Sequence, residues 1–193
     1  MDSTTNLIVT IALSVFLGFL YSFCQKISLK RIVSLYNNGE YDVALNRAIK
    51  KKANFDATKR IFNFLWNNHY NNLCFIIATI SFFRGDYDCF LLHIDEIRGE
   101  ENQSVKRFWM DIYYIFTSET VQLDVICDNN YTQLLLKDAN QLVINGLAAL
   151  KRGLTDEARR CFECWMNNKQ PKNPILCSII TEKLKDISES DKH

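Results

Sequence analysis

Between Ser3 and Gln25 the chain carries no charged residue, and the centre of this stretch, Leu7 to Phe23 (LIVTIALSVFLGFLYSF), is almost wholly apolar. As a helix rising roughly 1.5 Å per residue, that centre is on the order of 26 Å long, close to the ~30 Å hydrocarbon layer of a bilayer. A helix with no polar face must be covered on every side. The stretch therefore predicts a membrane span over residues 7–23. Tyr21, followed by Lys26, Lys30 and Arg31, matches an aromatic and cationic boundary at a lipid–water interface. A cleaved signal peptide would need basic residues before the apolar run and a small-x-small site after it. Only Asp2 and the amino terminus are charged there, and Phe23 fills the middle of Ser22-Phe23-Cys24. A buried core helix is the remaining alternative. Every basic residue lies at or after Lys26, with Lys50 to Lys52 a little further on, so the positive-inside rule places the rest of the chain in the cytoplasm. The expectation is a single-pass membrane protein with an anchor at 1–25, a helical domain at 26–187 and a polar tail at 188–193. Cys24 stands at the expected membrane edge, as an acylation site or an ordinary thiol.

A chain of 193 residues, 48% of them apolar, can bury one core or one short array of stacked helices. Beyond the N-terminal stretch and its Asp2, 23 basic residues face 21 acidic ones, a balance of +2 that leaves no electrostatic footprint for nucleic acid. Two prolines and six glycines are too few for a hairpin-dense β-fold. The fold class expected is all-α. Seven cysteines, an odd number scattered through helical segments, read as reduced thiols and not as a disulfide framework.

Beyond the anchor the apolar residues recur at helical spacing. Leu29, Ile32, Val33 and Tyr36 lead into Asn37-Asn38-Gly39, and Tyr41, Ala44, Leu45, Ala48 and Ile49 follow. This predicts a helix, a glycine turn and a second helix. Leu73, Ile76, Ile77, Ile80 and Phe83 lead in the same way to Arg84-Gly85-Asp86, then Tyr87, Phe90, Leu91 and Ile94. A third unit runs Leu142, Val143, Gly146, Leu147 and Leu150 into Gly153, then Ala158, Cys161, Phe162 and Trp165. Such a unit cannot bury its own apolar stripe, so the units must stack.

These residues resemble the tetratricopeptide (TPR) repeats. The strongest match is 139–172, with Gly146 at a close helix crossing, the turn Gly153, then Ala158, Phe162 and Pro171. NNGEYDVAL (37–45) and FRGDYDCFL (83–91) are similar to the family's Gly-x-Tyr turn. Phe90 stands where the family favours Ala, Arg159 replaces a Leu, and the turn glycines are 46 and 68 residues apart. The resemblance implies an irregular array of antiparallel hairpins whose first helices line a surface for a protein or peptide partner. Mapped onto this chain, that surface is Tyr36, Asn37, Phe75, Thr79, Phe82, Asn140, Leu147 and Lys151.

Elsewhere Phe55 to Asn68 and Gln103 to Phe116 read as helices, and Ile175 to Ile187 as a closing helix after Pro171 and Pro174. Ser118 to Asn130 fits either a helix or a short strand. No constellation for catalysis emerges. Cys161-x-x-Cys164 lacks the second ligand pair a zinc site needs and sits mid-helix, where Cys161 falls on the apolar stripe. His69, His93 and His193 are scattered, and no phosphate-binding loop or H-E-x-x-H is present. No metal and no cofactor are expected. The function expected is a membrane-tethered interaction scaffold without catalysis. The alternatives are a helical enzyme or small-ligand domain, or a structural subunit that uses Phe108 to Phe116 as an interface.

Overall fold

Apolar side chains at i, i+3, i+4 and i+7 cover one side of a helix, so each such helix acquires a neighbour. The computed structural model describes residues 3–62, 67–118, 139–168 and 172–190. Its elements are α1 (Ser3–Asn37), α2 (Tyr41–Phe62), α3 (Asn67–Phe83), α4 (Tyr87–Asp95), a 3-10 turn (Glu100–Asn102), α5 (Gln103–Thr117), α6 (Ala139–Lys151), α7 (Thr155–Asn167) and α8 (Pro174–Ser190). Among the described residues there is no strand, and the fold is all-α as expected.

The chain divides into two compact units, Met1–Ile77 and Ala78–His193, with the boundary inside α3. In the first unit α1 and α2 form a hairpin. Leu29, Ile32 and Tyr36 of α1 and Ala44 and Ala48 of α2 are buried. In the second unit α5, α6, α7 and α8 pack in chain order, each on the next. The helix in the middle of that series, α6, is buried continuously from Leu142 to Ala149, because α5 and α7 both pack on it.

All three glycine turns are built alike. Gly39, Gly85 and Gly153 have φ of 80°, 75° and 77°, a left-handed backbone that a side chain strains. At each turn the glycine N–H donates to the carbonyl three residues back (Tyr36, Phe82, Leu150; 2.9–3.1 Å), and the next N–H donates to the carbonyl five back (Leu35, Ser81, Ala149; 2.9–3.0 Å). This pair of bonds is the Schellman motif, which satisfies carbonyls a helix end would leave bare. Five residues after each glycine stands a fully buried side chain, Ala44, Phe90 or Ala158. The helices that come after the turns are 22, 9 and 13 residues long, so the turns are alike while the units differ in size.

The membrane anchor expected at residues 7–23 is overturned. Among the described residues, no helix is long and apolar enough to cross a membrane. The apolar stretch is seventeen residues, where a span takes about 20, and it includes Thr10 and Ser14, whose hydroxyl turns back to the Thr10 carbonyl at 2.8 Å. It is also not a separate element, since α1 runs unbroken through residue 25 into the charged sequence that begins at Lys26. The single-pass topology, the membrane as partner and the cytoplasmic placement inferred from the anchor are withdrawn with it. On α1, Ile11, Leu13, Val15, Phe16, Leu20, Phe23 and Ile27 are exposed.

Two smaller boundaries also differ. Phe55 to Asn68 is not a helix of its own: residues 55–62 continue α2, 67–68 open α3, and 63–66 lie outside the described residues. The intervening lysines and Ala53 are good helix formers and give α2 no reason to stop. α8 extends to Ser190, taking in the start of the expected tail. Of the ambiguous segment, Ser118 caps α5 and 119–130 lie outside the described residues.

Gly146 is needed for a different reason from the turn glycines. A Cβ built on it would lie 2.4 Å from Cε1 of Phe162 and 3.1 Å from Cβ of Cys161, both on α7, whereas at Gly85 it would meet nothing within 4 Å. Gly146→Ala is expected to cost about 1–3 kcal/mol through overpacking, and Gly85→Ala about 1 kcal/mol through backbone strain alone. Urea unfolding of both variants checks this, and a Gly146→Ala protein as stable as the parent would count against the close crossing.

Candidate functional site

The second unit holds an aromatic cluster whose hub is Phe82, in the last turn of α3 and 4% exposed. The Gly85 turn brings α4 back beside α3, and the Asp86 side chain starts α4 by accepting from the Cys89 N–H at 3.1 Å. Tyr87 and Phe90 of α4 then lie 5.7 and 5.3 Å from the Phe82 ring, and Trp109 and Phe116 of α5 lie 5.7 and 5.3 Å from it. Most of these pairs are edge-to-face, the arrangement that the ring quadrupoles favour. The cluster continues outward. Tyr113 is 5.6 Å from both Tyr87 and Phe90, and Tyr114 is 5.7 Å from Tyr113 and 57% exposed. Asp111, one helical turn before Tyr114, and Asp88, next to Tyr87, are exposed as well.

Two lysines pin α5 from either end. Lys106 Nζ donates to the carbonyls of Asp95 and Ile97 at 3.1 and 3.3 Å, where α4 ends. Lys151 Nζ, at the end of α6, donates to the Ile115 carbonyl at 2.6 Å and to that of Ser118. A cation at bare C-terminal carbonyls opposes the negative end of the helix dipole. In the last turn of α4, His93 Nδ1 lies 2.9 Å from Oε2 of the C-cap Glu96.

The residues expected to form a binding surface are mostly inside. Tyr36, Thr79, Phe82 and Leu147 are buried and Phe75 is half-buried. Tyr36 packs edge-on against Tyr41 across the Gly39 turn, at 6.0 Å. Asn37 and Asn140 are exposed, and Lys151 is engaged at the end of α5. Within each unit the buried four spend their side chains on packing and are not offered as an open face. The aromatic edge formed by the half-buried Tyr87 and Tyr113 and the exposed Tyr114 lies outside that set, although it belongs in part to the Phe108–Phe116 segment considered as an alternative interface. Its signal is helical spacing: Trp109, Ile112 and Ile115 make the buried stripe of α5, which leaves Tyr114 pointing away.

Of the cysteines, Cys161 is buried beside Gly146 and Cys164 is exposed, consistent with packing as the role of the first. Burial pushes the Cys177 thiol up, against the opposing effect of Lys172, which keeps it in the unreactive thiol form. No family model, no curated protein and no solved structure matches the chain.

Lys151→Met keeps the length of the side chain and removes the cation. The expected outcome is a loss of about 0.5–1 kcal/mol, with hydrogen exchange accelerated at the C-terminal turn of α5 and unchanged in α8. Equal acceleration throughout the second unit would mean that the lysine is not a local cap.

Proposed function

We propose that the chain is a non-catalytic protein-interaction module that holds a peptide or a partner helix against the aromatic edge of its second unit. The observation that carries this reading is the exposed Tyr114 ring at the end of a continuous series of rings rooted in the buried Phe82. Tyrosine offers a large amphipathic contact with few rotamers to lose, and aromatic anchors carry a disproportionate share of interface energy. Here Phe90 packs against Tyr113 and Phe82 against Tyr87, so less ordering remains to be done on binding. The resemblance to TPR hairpins, which capture peptides, points the same way, with the surface shifted from the first helices of the units to α4 and α5.

A photo-crosslinking phenylalanine analogue at position 114 tests the reading. One discrete adduct is expected from position 114 and none from exposed position 163 on α7. Once the partner is in hand, replacing Tyr113 and Tyr114 together by Ala should weaken the complex by about tenfold to a hundredfold. Identical adducts from both positions, or unchanged affinity in the double variant, would sink the proposal. Recovery of the adduct as a fixed stoichiometric complex from untreated cells would favour a permanent subunit over a transient adaptor.

A further inference from the structure

Charge is distributed unevenly along the chain. Residues 1–77 carry nine lysines and arginines against four acids, a net +5, and the rest carries fourteen against eighteen, a net −4. In the first unit the cations gather on the α1–α2 hairpin. Lys26 is thirteen residues before Gly39 and Lys51 is twelve after it, so the reversal of the chain at the turn sets them at the same height. Lys26 and Lys30 share one face of α1, and Arg47 and Lys51 share one face of α2, each pair four residues apart. Lys26, Lys30, Arg47 and Lys50 are exposed. The start of α3 adds to this corner: Lys52 Nζ lies 5.4 Å from the centroid of Tyr70, which brings the Lys51–Lys52 step of α2 against the His69–Tyr70 step of α3.

Of the four acids of the unit, only Asp56 is placed at this corner, where it pairs with Lys52 at 3.3 Å. Glu40 and Asp42 sit at the Gly39 turn, and Asp2 lies outside the described residues. Burial, and then the charges of Lys26 and Lys51, hold the His69 imidazole below its ordinary range. Burial also lowers Lys51, countered by the Cys24 thiol. Like charges held this close repel, and a multivalent anion seated among them would relieve that repulsion.

We propose that Lys26, Lys51 and His69 form a binding site for a phosphate-class polyanion, either a free polyphosphate or the headgroup of a phosphorylated lipid. Lys30 and Arg47 flank the site one turn nearer the Gly39 turn. Lysine ammonium groups bind phosphate as point charges without fixed geometry, so the site selects for density of negative charge.

The full chain is titrated calorimetrically with tripolyphosphate at low salt, and separately with phosphatidylcholine vesicles with and without a phosphoinositide. Saturable binding is expected, weakened by about tenfold or more in Lys26→Gln/Lys51→Gln and unchanged in the control Lys183→Gln/Lys185→Gln on α8. His69 followed by NMR should titrate at higher pH when tripolyphosphate is bound. It should also titrate higher in Lys26→Gln/Lys51→Gln without ligand, which confirms that this variant keeps its fold. Lysine-dependent capture by the phosphoinositide vesicles alone identifies the lipid headgroup as the source, and binding of tripolyphosphate alone identifies the free anion. Absence of binding to either probe, equal affinity in the two double variants, or binding of polyglutamate in place of both phosphate probes would overturn the proposal, the last in favour of an acidic protein segment.

Discussion

Each hairpin depends on a helix being made to stop and reverse at one residue. A helix end leaves carbonyls without donors, and the two Schellman bonds supply them only if the next residue can turn left-handed, which glycine does without strain. At Gly39, Gly85 and Gly153 the same two bonds form at nearly the same φ. The reversal lays the second helix beside the one just finished, and the residue five places on is buried in each case. The Phe82 cluster and the basic corner both result from where these reversals occur.

Packing, and not the turn itself, sets the length and content of the helix beyond each glycine. After Gly153 the crossing of α6 and α7 is so close that the Phe162 ring lies where any Cβ at position 146 would have to be, and α6 is enclosed from Leu142 to Ala149. After Gly85 the helix is nine residues long and its large apolar residue, Phe90, meets other rings. Similar turns thus join units of unlike content, and of the residues mapped from a repeat pattern onto a shared binding face Tyr36, Thr79, Phe82 and Leu147 are core. A first helix whose stripe packs against its neighbours has none of that stripe left to offer a partner.

The features left for recognition differ between the two units. The second exposes tyrosine rings braced by buried ones, with acids nearby, and the first exposes lysines and arginines gathered on its hairpin. The rings are packed from behind and have little rearrangement to make on binding, whereas the cations are set by helical register at the backbone while their long side chains stay adaptable.

Much of the local structure is legible in the sequence. Periodicity identifies the helices flanking each glycine, the three turns and the burial of Cys161, because helical spacing and the special geometry of glycine act over a few residues, while the close approach at Gly146 is what the resemblance to TPR repeats implies. The run from Leu7 to Phe23 reads by its apolarity as a separate membrane-crossing element, whereas it is the first part of α1, which continues to Asn37. Residue-to-residue spacing reports which side of a helix is oily. It does not report which neighbour covers that side, how far an element continues, or which rings remain at the surface once the stripes are matched. Those depend on contacts between residues distant in sequence, such as Phe82 with Phe116 or Lys151 with Ile115, and only the folded chain decides them.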